Sequence, residues 1–319
     1  MSSIPFIKPP RDRFIDRIIA AMDDYDKDVY FISADMGTES LDILRERYPE
    51  RFIYTGIAEQ NTINVAAGLA SRGKKVFVIG MASFITARCY DQIRYSLALM
   101  KLPACIMGIG VGFGYEDAGP AHYTTDDIGL MRLIHGMNIY TITDGVQAER
   151  AAEDFLSNPK LTYVRMERKI LPDIEMKDMD FKMGFHYINK TDNYDKVLLT
   201  CGYTRKIGQE ITGEIDISHI ELIRNTDTCF DQIDIFTMLP SILGELVKYK
   251  KIIVIEEQSY PGSTASLIME NANLQEWNPK VWFFGAPNSY VFENGGRDHI
   301  HGLCGMDSEW IIDRIKTCP

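Results

Sequence analysis

Four side chains could do chemistry together: an acid, Glu59, in GIAEQN; a ring, Phe84, in ASFITAR; a histidine, His122, in GPAH; and an arginine, Arg168, in YVRMER. A carboxyl group and an imidazole are both proton handlers, and the imidazole titrates near neutrality, which suits work on a reacting oxygen. An aromatic face can stack on a flat ligand. A guanidinium can grip a phosphate or carboxylate with two parallel bonds. Each residue also has an ordinary structural reading. Glu59 could merely favour the positive end of a helix dipole, an effect of about 0.3 to 1 kcal/mol. Phe84 could be core, His122 a helix cap or backbone partner, and Arg168 half of a surface ion pair.

The elements that must position these residues can be read from periodicity. Short runs rich in β-branched residues, VYFIS at 29–33, VFVIG at 76–80, ACIMGIG at 104–110, IYTIT at 139–143 and LTYVRM at 161–166, alternate with segments of helical period. That rhythm predicts a parallel sheet covered by helices. Ile63, Ala66, Ala67, Leu69 and Ala70 recur at helical spacing, with Gly73 placed to end the helix, so Glu59 falls at or near its N-terminus. A second helix is predicted to begin at Thr124, where Thr-Thr-Asp-Asp offers a hydroxyl cap and an acid three positions later. The loop before it carries His122.

From 170 to 193 the sequence turns irregular and polar, and a fresh strand, KVLLTCG, starts at Lys196. We therefore expect a domain over residues 1–175, a linker over 176–193 and a second domain over 194–319. The second domain alternates again: a helix near 205–213, ISHIELI, a helix near 234–248, KKIIVIEE, a helix near 262–271 and KVWFFGA. The predicted fold class is α/β, two three-layer domains with largely parallel sheets.

Composition narrows the function. The 45 Asp and Glu against 34 Lys and Arg leave a formal charge of -11, which disfavours nonspecific attraction to nucleic acid or an anionic membrane. With no apolar run of bilayer length and a polar opening, the chain is expected to be soluble and cytoplasmic. Cys89, Cys105, Cys201, Cys229, Cys304 and Cys318 form no CxxC pair and are expected to be reduced structural thiols. His299 and His301, with Asp298, form an HxH pair lacking a third and fourth ligand, so loop or helix-start histidines are expected rather than a metal site.

In their order along residues 30 to 170, GIAEQN, ASFITARCYDQIR and GPAHYTTDDIGLMR resemble the pyrimidine-binding domain of the transketolase family of thiamine diphosphate enzymes. The resemblance implies the thiamine diphosphate-binding fold and assigns roles residue by residue. Glu59 becomes the catalytic acid that hydrogen-bonds N1' of the cofactor's aminopyrimidine, and Phe84 the ring that stacks on it. Arg88, on the same segment, is placed with them at the cofactor. Asp35 in SADMGTES sits at the cofactor edge by the same resemblance, with a strand-end turn as the competing reading. His122 is brought to the reacting carbon, and Arg168 to a sugar phosphate. The chemistry is coherent: cleaving a carbon-carbon bond beside a ketone needs an electron sink that no side chain supplies and this cofactor does.

Two departures from the family pattern carry information. Transketolases of central metabolism hold an acid four positions before the loop histidine. Here Ala118 stands there and Asp117 is shifted by one, so donor choice is expected to differ, with Asp117 a substrate-binding candidate. The loop GFGYEDAGPAH resembles relatives associated with unusual-sugar biosynthesis. The Gly-Asp-Gly segment through which the family holds the diphosphate via Mg2+ is absent from this sequence.

KVLLTCG and KKIIVIEEQSYPGSTASLI resemble the family's C-terminal domain, so the chain corresponds to the last two domains of a three-domain enzyme. The resemblance then implies a separate N-terminal diphosphate-binding subunit that holds most of the Mg2+ contacts, and cofactor lying between subunits. It also implies a homodimer core within an α2β2 heterotetramer and a sugar phosphate substrate. The competing readings are a β subunit of a 2-oxo acid dehydrogenase, a deoxyxylulose-phosphate synthase-like enzyme, and a noncatalytic scaffold. The GPAH loop speaks against the dehydrogenase, and the joint presence of Glu59, Phe84 and His122 against the scaffold.

Overall fold

In the computed structural model the described residues are 8–24, 26–226, 240–274 and 277–317. The strands are β1 (Val29–Ala34), β2 (Phe52–Gly56), β3 (Lys75–Met81), β4 (Ala104–Ile109), β5 (Asn138–Ile142), β6 (Leu161–Met166), β7 (Phe185–Asn189), β8 (Lys196–Thr200), β9 (Ser218–Leu222), β10 (Arg224–Thr226), β11 (Lys251–Ser259) and β12 (Lys280–Ala286). They form a seven-stranded sheet of order β10-β5-β6-β4-β3-β1-β2 and a five-stranded sheet of order β12-β11-β8-β9-β7. Pairing is parallel except for β10 on β5 and β7 on β9, two antiparallel edges. The fully buried residues of β4 and β6 explain why these strands read as unbroken apolar runs.

Helices cover both faces of the larger sheet. Proline at the first position starts the helix Pro10–Asp23, and its Phe14, Ile15 and Ile18 pack with Phe77 and Phe155 on one face. On the other face the helix Glu59–Ala70 lays Ile63, Ala66 and Ala70 against Val76 and Val78. Small side chains on that helix let its backbone approach the sheet closely.

Two expectations about this region change. Residues 176–193, read as an irregular linker, carry a helix, Asp178–Met183, closed by Gly184 at φ 82°, and then β7. One of the polar residues there pairs inside: His186 on β7 meets Glu221 on β9 at 2.7 Å. The Thr124 cap is not formed. Its helix runs Asp127–Arg132, Thr124 bridges Gly112 through the backbone, and Asp127 turns inward to Arg165 and Tyr163. A buried guanidinium on β6 needs a carboxylate more than an exposed helix end needs a cap. Of the helix expected near 234–248, residues 234–239 lie outside the described residues and Pro240–Leu246 is helical.

The two sheets are joined by buried charge. Arg205 reaches Asp144 at 2.6 Å, Gln258 reaches Asp127 at 2.8 Å, and Arg297 bonds both Glu167 and Glu257. The return of β10 to the first sheet adds a covalent crossing. Gly262, at φ 88°, meets Gly129 so closely that a Cβ there would lie 2.5 Å from the Gly129 Cα.

Buried titratable groups are expected to make the fold less stable in acid. Burial pushes the imidazole of His219, bonded to Thr200, down to about 4. Burial would raise the Glu221 carboxyl, but the His186 hydrogen bond and the Arg205 charge override it and hold it at about 2. Both shifts have the same sign for stability. Between their folded and ordinary values the unfolded chain binds more protons, so stability falls as pH drops. The His219 part is lost from about 6.5 down to 4 and the Glu221 part from about 4.5 down to 2. We expect the urea midpoint to fall progressively between pH 7 and pH 4, with His219→Gln flattening that slope; an unchanged slope in the variant counts against it.

Candidate active site

The site residues sit where strands of the larger sheet end, the side on which open α/β sheets bind ligands. β2 ends at Gly56, φ 71°, and the helix it feeds begins at Glu59, which is only 7% exposed. β3 feeds a π-helical turn, Phe84–Arg88, a widened turn of the kind that recurs at functional sites. β4 feeds the loop of His122, and β6 leads directly to Glu167 and Arg168.

The turns bring most of these residues into one unbroken row. Arg88 Nη1 donates to Glu59 Oε2 at 2.9 Å, and the same guanidinium lies 4.5 Å over the centre of the Phe84 ring. The Phe84 ring meets the His122 imidazole edge-on, centroids 5.3 Å apart. Tyr115 lies on the far side of His122 at 5.9 Å, and the Arg168 guanidinium stacks 4.3 Å over Tyr115. Arg168 Nη1 finally stands 3.8 Å from the exposed Asp117. Six of the seven sequence candidates therefore lie on one surface. Asp35 is outside the row, exposed at the end of β1, where it accepts a 2.7 Å hydrogen bond from Tyr54.

Local polarity is uneven along the row. His122 Nδ1 is buried without a hydrogen-bond partner, a condition that asks for an incoming donor or acceptor. Beyond Tyr115 a cleft of about 390 Å³ is lined by Arg168, Lys169, Glu116, Asp117 and the Asn294–Gly296 turn.

Sequence reasoning missed two features. Tyr115 was passed over inside GFGYEDAGPAH, although Gly110, Gly112 and Gly114 nearby signal a backbone that something packs against closely. The second is a buried clamp below Arg168. Arg297 Nη1 donates to Glu167 at 2.7 Å and its Nε to Glu257 at 2.6 Å, and His301 also bonds Glu257. His301 is thus a buried partner within the helix Arg297–Leu303, while Asp298 and His299 point to solvent. Among the described residues no three His, Cys, Asp or Glu gather where they could hold a metal ion.

Cys89, Cys105, Cys201 and Cys304 are free thiols, and burial pushes Cys89 up to about 12 and Cys304 to about 11. Cys229 and Cys318 lie outside the described residues. Among the described residues no helix is long and apolar enough to cross a membrane.

Residues 13–173 match the family described as "Transketolase, pyrimidine binding domain", half of the chain. The chain belongs to the transketolase family. One relative, a subunit of the apulose-4-phosphate transketolase of Phocaeicola vulgatus, is 29% identical over 288 residues, 90% of each chain. The "6-deoxy-6-sulfo-D-fructose transketolase subunit SqwH" of Clostridium sp. is 30% identical over 174 residues, 54% of each. A solved structure described as "Split gene transketolase, inactive beta4 tetramer" superposes with a TM-score of 0.78 at 20% identity, covering 98% of both chains. That likeness places both domains of this transketolase-family chain in the expected fold.

Proposed function

We propose that this chain is the C-terminal subunit of a two-chain, thiamine diphosphate-dependent transketolase that moves a ketol unit between sugars bearing a terminal anion. The observation that carries the reading is the continuous row from Glu59 to Arg168. An acid, a stacking ring, a proton handler and an anion grip stand in the order in which a cofactor ring, a reacting carbon and a substrate tail must follow one another. Two relatives bear the names of enzymes acting on apulose 4-phosphate and a sulfonated fructose, both with a terminal anion. Arg168 and Lys169 on the cleft suit such a group.

The residues present fit the cofactor. Between the Glu59 carboxylate and the Phe84 face already lies a flat group that donates N–H to the acid and stacks on the ring, the Arg88 guanidinium. An aminopyrimidine asks for the same pair of contacts, so Glu59 and Phe84 would hold it. Thiamine diphosphate, when bound, supplies the electron sink for carbon-carbon cleavage. Glu59 presents its carboxyl to the ring nitrogen, His122 moves the proton on the substrate oxygen, and Arg168 fixes the substrate's charged end. With no Gly-Asp-Gly in the sequence, the Mg2+ and diphosphate contacts fall to a partner chain.

The test is reconstitution. This chain and a partner bearing Gly-Asp-Gly are each expected to be idle alone. Mixed with thiamine diphosphate, Mg2+ and a ketose phosphate they are expected to release aldehyde, with pyruvate a poor donor. Turnover by this chain without a partner, or faster turnover of pyruvate than of any ketose, overturns the reading.

Arg88 gives a second expectation. Its contacts to the buried Glu59 carboxylate and a ring, made by a side chain that is itself about half exposed, are together worth about 0.7 to 2 kcal/mol, and cofactor entry must displace both. Arg88→Gln is therefore expected to tighten thiamine diphosphate binding by about 3- to 30-fold in calorimetry of the assembled subunits. Weaker binding by the variant makes Arg88 a direct cofactor ligand instead.

A further inference from the structure

Tyr115 occupies the middle of the row yet has no role in the proposed reaction. Its ring touches the two groups on either side, the His122 imidazole at 5.9 Å and the Arg168 guanidinium at 4.3 Å. The backbone is shaped to receive it. Gly110 follows β4 at φ 80°, and a Cβ there would lie 2.1 Å from Tyr115 Cε2, so only glycine leaves room for the ring. The Ala118 N–H bonds the Tyr115 carbonyl at 2.9 Å and closes a turn, and Arg168 Nη1 donates to the Gly114 carbonyl at 3.4 Å. The ring is half-buried, with the Gly110 backbone close against one edge of it.

Resting on the ketol-transfer reading, we infer that Tyr115 is a positioning and specificity-determining residue: its ring sets the spacing between proton-handling His122 and anion-gripping Arg168. The spacing between those groups cannot exceed the sum of the two ring distances while both contacts are made. With both groups held, the site favours substrates that carry a terminal anion over those that do not. The cation-π contact supplies the hold on Arg168, whose other partners are a long hydrogen bond and a distant, solvent-exposed acid. Packing against the imidazole supplies the hold on His122. Neither interaction uses the phenol hydroxyl, so phenylalanine can replace tyrosine and leucine cannot.

The experiment compares Tyr115→Phe and Tyr115→Leu in the assembled two-chain enzyme, with fructose 6-phosphate, xylulose 5-phosphate and unphosphorylated erythrulose as donors. Glu59→Gln is run in parallel. For Tyr115→Leu the KM of the phosphorylated donors is expected to rise at least fivefold, while that of erythrulose changes less than twofold. Its kcat is expected to fall by the same factor with every donor, because His122 serves all of them. Tyr115→Phe is expected to restore both constants. Titration of inorganic phosphate into the full chain, followed by 31P NMR, is expected to show wild-type affinity for the Phe variant and at least fivefold weaker binding for the Leu variant.

Equal KM changes with all donors, a Phe variant no better than the Leu variant, or unchanged phosphate binding in the Leu variant overturns the assignment. If wild type turns over none of the donors, the phosphate titration decides alone. Faster turnover of pyruvate, run in parallel, than of any of these ketoses refutes the ketol-transfer reading itself, whereas full turnover by Glu59→Gln removes only that carboxyl from the chemistry, so the failures are told apart.

Discussion

Glu59→Gln, assayed with the partner chain, cofactor and Mg2+, is expected to lose about 10²- to 10⁴-fold in kcat, the range over which a positioned acid contributes. The amide keeps the shape of the side chain and one hydrogen bond, but cannot exchange a proton with a ring nitrogen. The fold is expected to survive. The acid's partner is Arg88, whose side chain is 45% exposed, so the cation left behind is solvated and stability changes by less than about 1 kcal/mol. Equal melting temperatures with a collapsed kcat are the expected pair of results. Glu59→Ala is expected to match it, whereas retained turnover in either variant separates this carboxyl from the chemistry.

Arg297→Met is expected to do the opposite, leaving the catalytic row chemically intact while weakening what holds it. Arg297 is 1% exposed and stacks over Tyr203 at 3.9 Å while neutralising Glu167 and Glu257, themselves 2% and 7% exposed. Removing one member of a buried ion cluster strands the others, at a cost of about 3 to 5 kcal/mol. Burial pushes the Glu257 carboxyl up, and the Arg297 charge outweighs it and holds the acid well below the usual carboxylate range. In the variant that hold is weakened, Glu257 protonates more readily, and the stability deficit is expected to narrow as pH falls from 7 toward 5. Urea unfolding of both proteins across that range is the measurement; a constant or widening deficit excludes the clamp. Replacing Arg297, Glu167 and Glu257 together with apolar residues is expected to recover much of the loss. Because Glu167 precedes Arg168 in the chain, the clamp also braces the anion grip.

The candidate site was readable largely because its residues hang on strand ends that local pattern reveals. The spacing of Ile63, Ala66 and Ala70 puts Glu59 at the start of a helix, and VFVIG ahead of ASFITAR puts Phe84 just beyond a strand. Asp35 shared that logic but lies outside the row, exposed and paired with Tyr54. Tyr115 escaped notice because a tyrosine in a glycine-rich loop has no periodicity to read.

Spacing along the chain sufficed for the elements, their α/β alternation and the strand ends that carry chemistry, since side-chain period depends on near neighbours alone. The order β6-β4-β3-β1-β2, which sets Arg168, His122, Phe84 and Glu59 side by side, came from three-dimensional packing. So did the pairing of Arg165 with Asp127, Arg205 with Asp144, and Arg297 with Glu167. A charged residue reads as surface until a partner from a distant segment is there to meet it, and hydrophobic pattern carries no record of that partner. For the same reason residues 176–193 read as a polar connector: their histidine finds its acid only once β7 lies against β9.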